Sequence, residues 1–312
     1  MSSVAVSPRS FRQVPGRHQE VIAGSGLVAV YPSVDRQLTE EEMIDLVDGC
    51  DALIVGIDPV TERVLEAGPL RVVAKYGSGL DNIDLHAAER LGIEVASTPG
   101  ANAQGVAELT VALLLALARR VVPHHVSAAS GRWDRHIGVE LMGRRLGLIG
   151  LGQVGRRVAR IAGAMSMDLV AYDPFVDHSD VPMLGLGELI SSSDAISLHL
   201  PLTEDTRHMV DADFLARMRP GAFLVNTARF ALADIDAIAD ALASGRLAGA
   251  AFDDFEERPD PGSRLWGMTG FLASPHAGAS TVEAVERTGV AAVQIVLEAL
   301  GIDGETRTGE EQ

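Results

Sequence analysis

Three glycines, Gly150, Gly152 and Gly155, stand in the pattern Gly-x-Gly-x-x-Gly, and the next apolar run closes on an acid, Asp173. This spacing suits a dinucleotide. The first glycine makes a tight turn out of a strand, the second lets backbone approach a pyrophosphate, and the third lets helix and strand pack closely. A helix opening at Gln153 and Val154 points its free N–H groups and positive dipole end at the phosphates. Asp173 lies 18 positions past Gly155, where a carboxylate accepts both hydroxyls of an adenosine ribose and repels a 2′-phosphate. No arginine follows it directly. The chemistry expected is redox chemistry on a nicotinamide, with NAD rather than NADP as cofactor.

The elements around the glycines fit that duty. Leu146–Ile149 reads as the strand before the turn, Val154, Val158, Ile161 and Ala162 as one face of the helix, and Leu169–Tyr172 as the strand ending at Asp173. Elsewhere Val4–Val6 reads as a short strand, and Leu27–Val30, Ala52–Val55 and Val72–Ala74 as buried strands. Thr39 caps a helix that begins at Glu40. Apolar strands alternating with helices predict parallel sheets covered on both faces. From Gly100 to Gly143 the pattern is helical, and Val111–Leu115 is apolar nearly all round, as in a helix buried between domains or subunits. Strands are expected again at Ala195–Leu198, Ala222–Val225 and Gly249–Phe252, and a last helix at Val282–Leu300. The polar tail from Gly301 is expected to be disordered. Because the fingerprint sits in mid-chain, the nucleotide domain reads as an insertion, with ligand expected where two domains meet.

Composition narrows the partners. The 312 residues, 47% hydrophobic, suffice for two domain cores. With 26 basic against 43 acidic side chains, a formal net charge of −17 argues against nucleic acid and against an anionic membrane surface. A small anionic substrate remains compatible, since a few arginines can dominate inside a cleft. Cys50 is the only cysteine, so no disulfide framework and no thiolate metal cluster is expected, and no metal is assigned. Val111–Ala118 is too short to cross a bilayer, and the start lacks a secretory signal. A soluble cytoplasmic protein is expected.

Further segments fall in a telling order: Lys75-Tyr76-Gly77-Ser78-Gly79, then Asp81-Asn82-Ile83-Asp84, Val106-Ala107-Glu108, Ser197 to Thr203, Asn226-Thr227-Ala228-Arg229 and Pro275-His276-Ala277-Gly278. With the fingerprint among them, the chain from about Asp51 to Leu300 resembles the D-isomer-specific 2-hydroxyacid dehydrogenases, the group with phosphoglycerate, glyoxylate/hydroxypyruvate, phosphite and formate dehydrogenases. Its start, Ser7 to Phe11, is similar to the phosphoglycerate-dehydrogenase-like branch. The resemblance implies two doubly wound α/β parallel-sheet domains. A Rossmann NAD-binding domain, residues 101–281, is inserted into a flavodoxin-like substrate domain, residues 1–100 and 282–312. It also implies an oxidoreductase interconverting a 2-keto acid and a D-2-hydroxy acid. Arg229, a forked guanidinium, would anchor the substrate carboxylate, and His276 would act as acid/base. Gly77, Ser78 and Gly79 would offer N–H groups to that carboxylate, beside Lys75 and Tyr76. His199, Pro201, Thr203, Thr206, Thr227, Ala228, Asp253 and Gly278 would lie by the cofactor. Val106–Ala118 and the loop through Trp133 match the segment by which family members form homodimers.

Two departures matter. The family pattern Asp-Val-Phe-x-x-Glu-Pro ends in a glutamate that bonds to the histidine. This chain reads Asp253-Asp254-Phe255-Glu256-Glu257-Arg258-Pro259, which puts Arg258 at the glutamate's position. Either the loop shifts so that Glu257 is the catalytic carboxylate, or Arg258 adds a second anion site, or catalysis is lost and the protein is an NAD(H)-binding regulator. Formate dehydrogenases, with a neutral glutamine there, are a partial parallel, and a phosphite/formate-type anion dehydrogenase is the alternative enzyme. Secondly, Phe230 follows Arg229 where glycine is usual, altering either the cofactor wall or a dimer contact. Arg9, Ser10 and Lys75, with Arg229, would suit a phosphorylated or phosphonate substrate.

Overall fold

The computed structural model describes residues 2–254 and 263–302. The chain divides into two units: residues up to Asn102 together with those from Ser280 onward, and Ala103–Ala279 between them.

In the first unit, β1 (Ser3–Val6), α1 (Arg9–Gln13), α2 (Arg17–Gly24), β2 (Val28–Val30), α3 (Glu40–Val47), β3 (Ala52–Val55), α4 (Glu62–Glu66), β4 (Val72–Lys75), α5 (Leu85–Leu91) and β5 (Glu94–Ser97) follow one another. The strands form one parallel sheet in the order β2-β1-β3-β4-β5, the flavodoxin-like order. Alternate residues feed two cores. Val4, Val6, Ala52, Ile54, Val72 and Ala74 pack on one face, under the last helix (Val282–Leu300), while Ala5, Leu53, Val55 and Val73 face α3–α5. Burial on both faces is why these strands are apolar throughout. Thr39 accepts from Glu42 N–H, and the Glu42 carboxylate accepts from Thr39 N–H at 2.9 Å, a capping box that starts α3. One expectation fails: β2 is an edge strand, and Val28 is 47% exposed rather than buried.

The second unit runs α6 (Ala103–Ala118), α7 (Val121–Ala129), β6 (Arg145–Ile149), α8 (Gln153–Ala164), β7 (Asp168–Tyr172), α9 (Leu186–Ser192), β8 (Ala195–Leu198), α10 (Ala212–Arg217), β9 (Ala222–Asn226), α11 (Ile235–Ala243), β10 (Leu247–Phe252) and β11 (Phe271–Ala273). Its parallel sheet has the order β7-β6-β8-β9-β10-β11, a Rossmann arrangement. A single parallel bridge, Met183 to Ala171, covers β7 where a third strand would pair. Strand order reverses between β6 and β8, the place where such sheets leave a ligand crevice. Helix α6 lends Ala107, Val111, Leu114 and Leu117 to the core of its own unit, while Ala112 is exposed. Helix does not fill 100–143 either. It stops at Ala129, and residues 132–140 have no regular structure.

Candidate active site

The turn after β6 holds the fingerprint. Gly150 has φ +95°, and a Cβ there would lie 2.3 Å from the His199 carbonyl oxygen, so only glycine fits. A Cβ on Gly155 would lie 2.2 Å from the Gly150 carbonyl oxygen, which explains the close approach of α8. Gly152, the N-cap of α8, is different: a Cβ there meets nothing within 4 Å. That open space, faced by the first-turn N–H groups of α8 at Gln153 and Val154, suits an approaching pyrophosphate. Asp173 follows β7. Its Oδ2 accepts from Leu151 N–H at 2.8 Å and its Oδ1 from Phe175 N–H at 2.9 Å, tying the acid to the turn. These residues fit a dinucleotide.

The other nucleotide-side residues end strands of the same sheet. His199 follows β8, and its Nε2 lies 2.9 Å from the Ser197 hydroxyl. Burial pushes the ring down to about 3, so it is neutral at physiological pH. In the loop beyond it, Thr206 Oγ1 donates to the Pro201 carbonyl at 2.8 Å and accepts from Thr203 N–H at 2.7 Å, a self-bonded turn. Thr227 pairs with the Thr110 hydroxyl on α6 at 2.8 Å.

Arg229 rides on a turn shaped by Asn226, which is fully buried at the end of β9. Asn226 Oδ1 accepts from Ala228 N–H and Nδ2 donates to the Arg229 carbonyl at 2.7 Å. Phe230 packs its ring edge-on against Phe252 at 6.0 Å, which makes it part of the unit's own core packing. His276 follows β11 in a left-handed conformation, φ 54°, uncommon for a non-glycine residue and characteristic of functional turns. Asp253 holds that loop: its carboxylate accepts from the Ser274 hydroxyl, from Ala277 N–H at 2.8 Å and from Gly278 N–H at 2.7 Å.

Asp254 supplies what the sequence reading missed. Its Oδ1 lies 2.8 Å from His276 Nδ1, and its side chain is 12% exposed against 42% for the histidine. Burial works to raise the Asp254 carboxyl, but the His276 bond and charge, the Arg229 guanidinium and Phe230 N–H outweigh it and hold the group below the usual aspartate value. One carboxylate therefore has the histidine bonded to it and the arginine's charge beside it. Glu257 and Arg258, between which the sequence leaves the choice of partner, lie outside the described residues. The signal available was the pair of adjacent acids where the family pattern has one.

The expected substrate loop belongs to the first unit, where its side chains make contacts within the fold. Lys75 ends β4 only 7% exposed, its ammonium donating to the Gly56 carbonyl and to Asn82 Oδ1. A buried ammonium must be hydrogen-bonded, and those acceptors lie inside the fold. Tyr76 donates its hydroxyl to the Val285 carbonyl at 3.1 Å, and burial pushes the phenol up to about 12. Gly77 N–H donates to Thr98 Oγ1 at 2.9 Å, so that one N–H of the expected nest is committed within the fold. Arg9 pairs with Asp35 at 3.4 Å, and Ser10 reaches the Tyr76 hydroxyl at 3.5 Å. Of the cations assigned to a second anionic group, Lys75 is buried on its internal acceptors, while Arg9 is half-exposed in a surface ion pair.

Among the described residues no cluster of histidine, cysteine and acids could hold a metal ion, and no helix is long and apolar enough to cross a membrane. The family model for the D-isomer specific 2-hydroxyacid dehydrogenase, NAD binding domain, matches residues 111–278. A hydroxypyruvate reductase of Thermotoga maritima is 40% identical over 274 residues, covering 85% of this chain and 90% of that protein. A D-3-phosphoglycerate dehydrogenase of Methanocaldococcus jannaschii is 39% identical over 262 residues, 81% of this chain, but the chain spans only 50% of that protein's length. A crystal structure from Thermus thermophilus superposes with a TM-score of 0.87 at 34% identity, over 99% of this chain and 100% of that one. The chain belongs to the D-isomer specific 2-hydroxyacid dehydrogenases, NAD-dependent oxidoreductases that act on small 2-keto and 2-hydroxy acids.

Proposed function

We propose that the protein reduces a short, unphosphorylated 2-keto acid of the hydroxypyruvate type to the D-2-hydroxy acid. Bound NADH would supply the hydride to the carbonyl carbon. Arg229 holds the substrate carboxylate with paired charge-assisted hydrogen bonds. His276 gives its proton to the carbonyl oxygen as the hydride arrives and takes one back in the reverse direction. The single observation that carries this reading is the contact of His276 Nδ1 with the Asp254 carboxylate at 2.8 Å. A partnered histidine favours an acid/base enzyme over a regulator without catalysis.

The burial of Lys75 on the Gly56 carbonyl and Asn82 supports an unphosphorylated acid over a phosphorylated one. So does the hydroxypyruvate reductase name of a relative covered over 90% of its length. The test compares kcat/KM for hydroxypyruvate with that for a phosphorylated 2-keto acid. A preference for the unphosphorylated acid is expected, and a preference for the phosphorylated one refutes the assignment. We propose the cytoplasm as location and an isologous homodimer through α7 and the segment after it, where Val121, Val122, Val126, Trp133, Ile137 and Met142 are exposed. Sedimentation of Trp133→Asp as a monomer would agree, and an unchanged dimer would not.

A further inference from the structure

Two acids stand side by side after β10, and they do different work. Asp253 binds backbone: Ala277 N–H, Gly278 N–H and the Ser274 hydroxyl. Asp254 binds the imidazole, 2.8 Å from Nδ1. We infer that Asp254 is the positioning carboxylate of His276 in this chain, replacing the family's glutamate, which would stand four residues further along at Arg258. The inference rests on the reading of His276 as the acid/base.

The chemistry follows from the contact. An ionised carboxylate only accepts hydrogen bonds, so Nδ1 carries the hydrogen facing Asp254. That fixes the tautomer and leaves Nε2 as the atom that exchanges a proton with substrate. Its negative charge also faces the positive charge that the ring bears when it is ready to donate. Asp254 stands two residues past β10, a strand paired on both sides, and its side chain is mostly buried, so the ring is oriented from close to a rigid element. Among the described residues the charged groups around the pair are Asp253, on the loop backbone, and Arg229, whose positive charge acts on Asp254. With Arg229 cationic and Asp254 anionic, the pair is close to neutral before substrate arrives. A glutamate from the following loop becomes redundant, which accounts for an arginine being tolerated in its place.

The test is Asp254→Asn, which keeps shape and removes charge. Reduction of hydroxypyruvate is followed against pH for native protein and variant, with NADH affinity measured separately. The expected result is a fall in kcat of about 100-fold with KM and NADH affinity little changed, and an alkaline limb of the profile moved to lower pH. A structural defect alone would lower activity without moving that limb. Superimposable profiles for native and Asp254→Asn overturn the inference, as does a limb moved by Glu257→Gln and not by Asp254→Asn. A second readout does not depend on substrate: the His276 Nδ1 hydrogen, bonded to a carboxylate in native protein, gives a downfield NMR resonance that moves upfield or is lost in Asp254→Asn. If native protein turns over no 2-keto acid but this change is found, the proposed activity fails and the positioning role stands. If the resonance is identical in both, the positioning role fails.

Discussion

Placing a methyl group at Gly152 separates cofactor binding from folding. A Cβ there meets nothing within 4 Å, and the backbone is extended at φ −76°, where alanine is allowed. Alanine caps a helix less well than glycine, by about 1 kcal/mol or less. It also reduces the freedom of the unfolded chain, which restores about 0.4–1 kcal/mol. Stability should therefore change by no more than about 1 kcal/mol. Binding is another matter, because the methyl occupies the space through which a pyrophosphate would reach the α8 N–H groups. Loss of one charge-assisted hydrogen bond costs about 1.5–3 kcal/mol, or about 10- to 150-fold in NADH affinity. Thermal unfolding reports the first quantity and quenching of tryptophan fluorescence by NADH the second. Native affinity in Gly152→Ala would refute the placement of the pyrophosphate at this turn.

The neighbouring glycine should behave oppositely. Gly155→Ala drives a Cβ to 2.2 Å from the Gly150 carbonyl, so backbone must move, and stability should fall by about 1–3 kcal/mol in denaturant titration. Arg229→Lys keeps the charge but loses the fork, and should raise KM for the 2-keto acid by about 10-fold or more, seen in steady-state kinetics. For His199, burial pushes the pKa from 6.5 down to about 3, so the folded state resists protonation that the unfolded chain accepts. Its stabilising effect is complete above 6.5 and drains away as pH falls toward 3, and His199→Gln should flatten that part of the stability–pH curve. The Asp254 carboxyl is likewise held low, so its contribution is present above the ordinary aspartate range and lost as pH falls through the depressed value. Asp254→Asn should remove that lowest part of the acid limb.

The doubly wound sheets were legible because strands buried on both faces must be apolar at every position, as in Ala52–Val55 and Ala222–Val225. Edge strands escape that rule. Glu94–Ser97 has two polar residues in four, and β5 went unread, while Val28 was taken as buried on its apolar type alone. The helical pattern expected from Gly100 to Gly143 does not reach residues 132–140, where Trp133 and Ile137 are exposed and carry no helix. At the candidate site, the glycines, Asp173, Arg229 and His276 could be placed at turns and strand ends because each motif carries its own backbone geometry. The burial of Lys75 beside Gly56 and Asn82 could not be read, because it depends on how β3 and β4 pair. Nor could Asp254, since which of two adjacent acids meets the imidazole depends on the left-handed turn at His276.

The most direct test of the account is the handedness of the product formed from hydroxypyruvate and NADH. Arg229 and His276 acting together on one bound 2-keto acid predict stoichiometric loss of NADH and a product that is wholly the D-hydroxy acid. An L or racemic product, or NADH bound and never consumed, would contradict it.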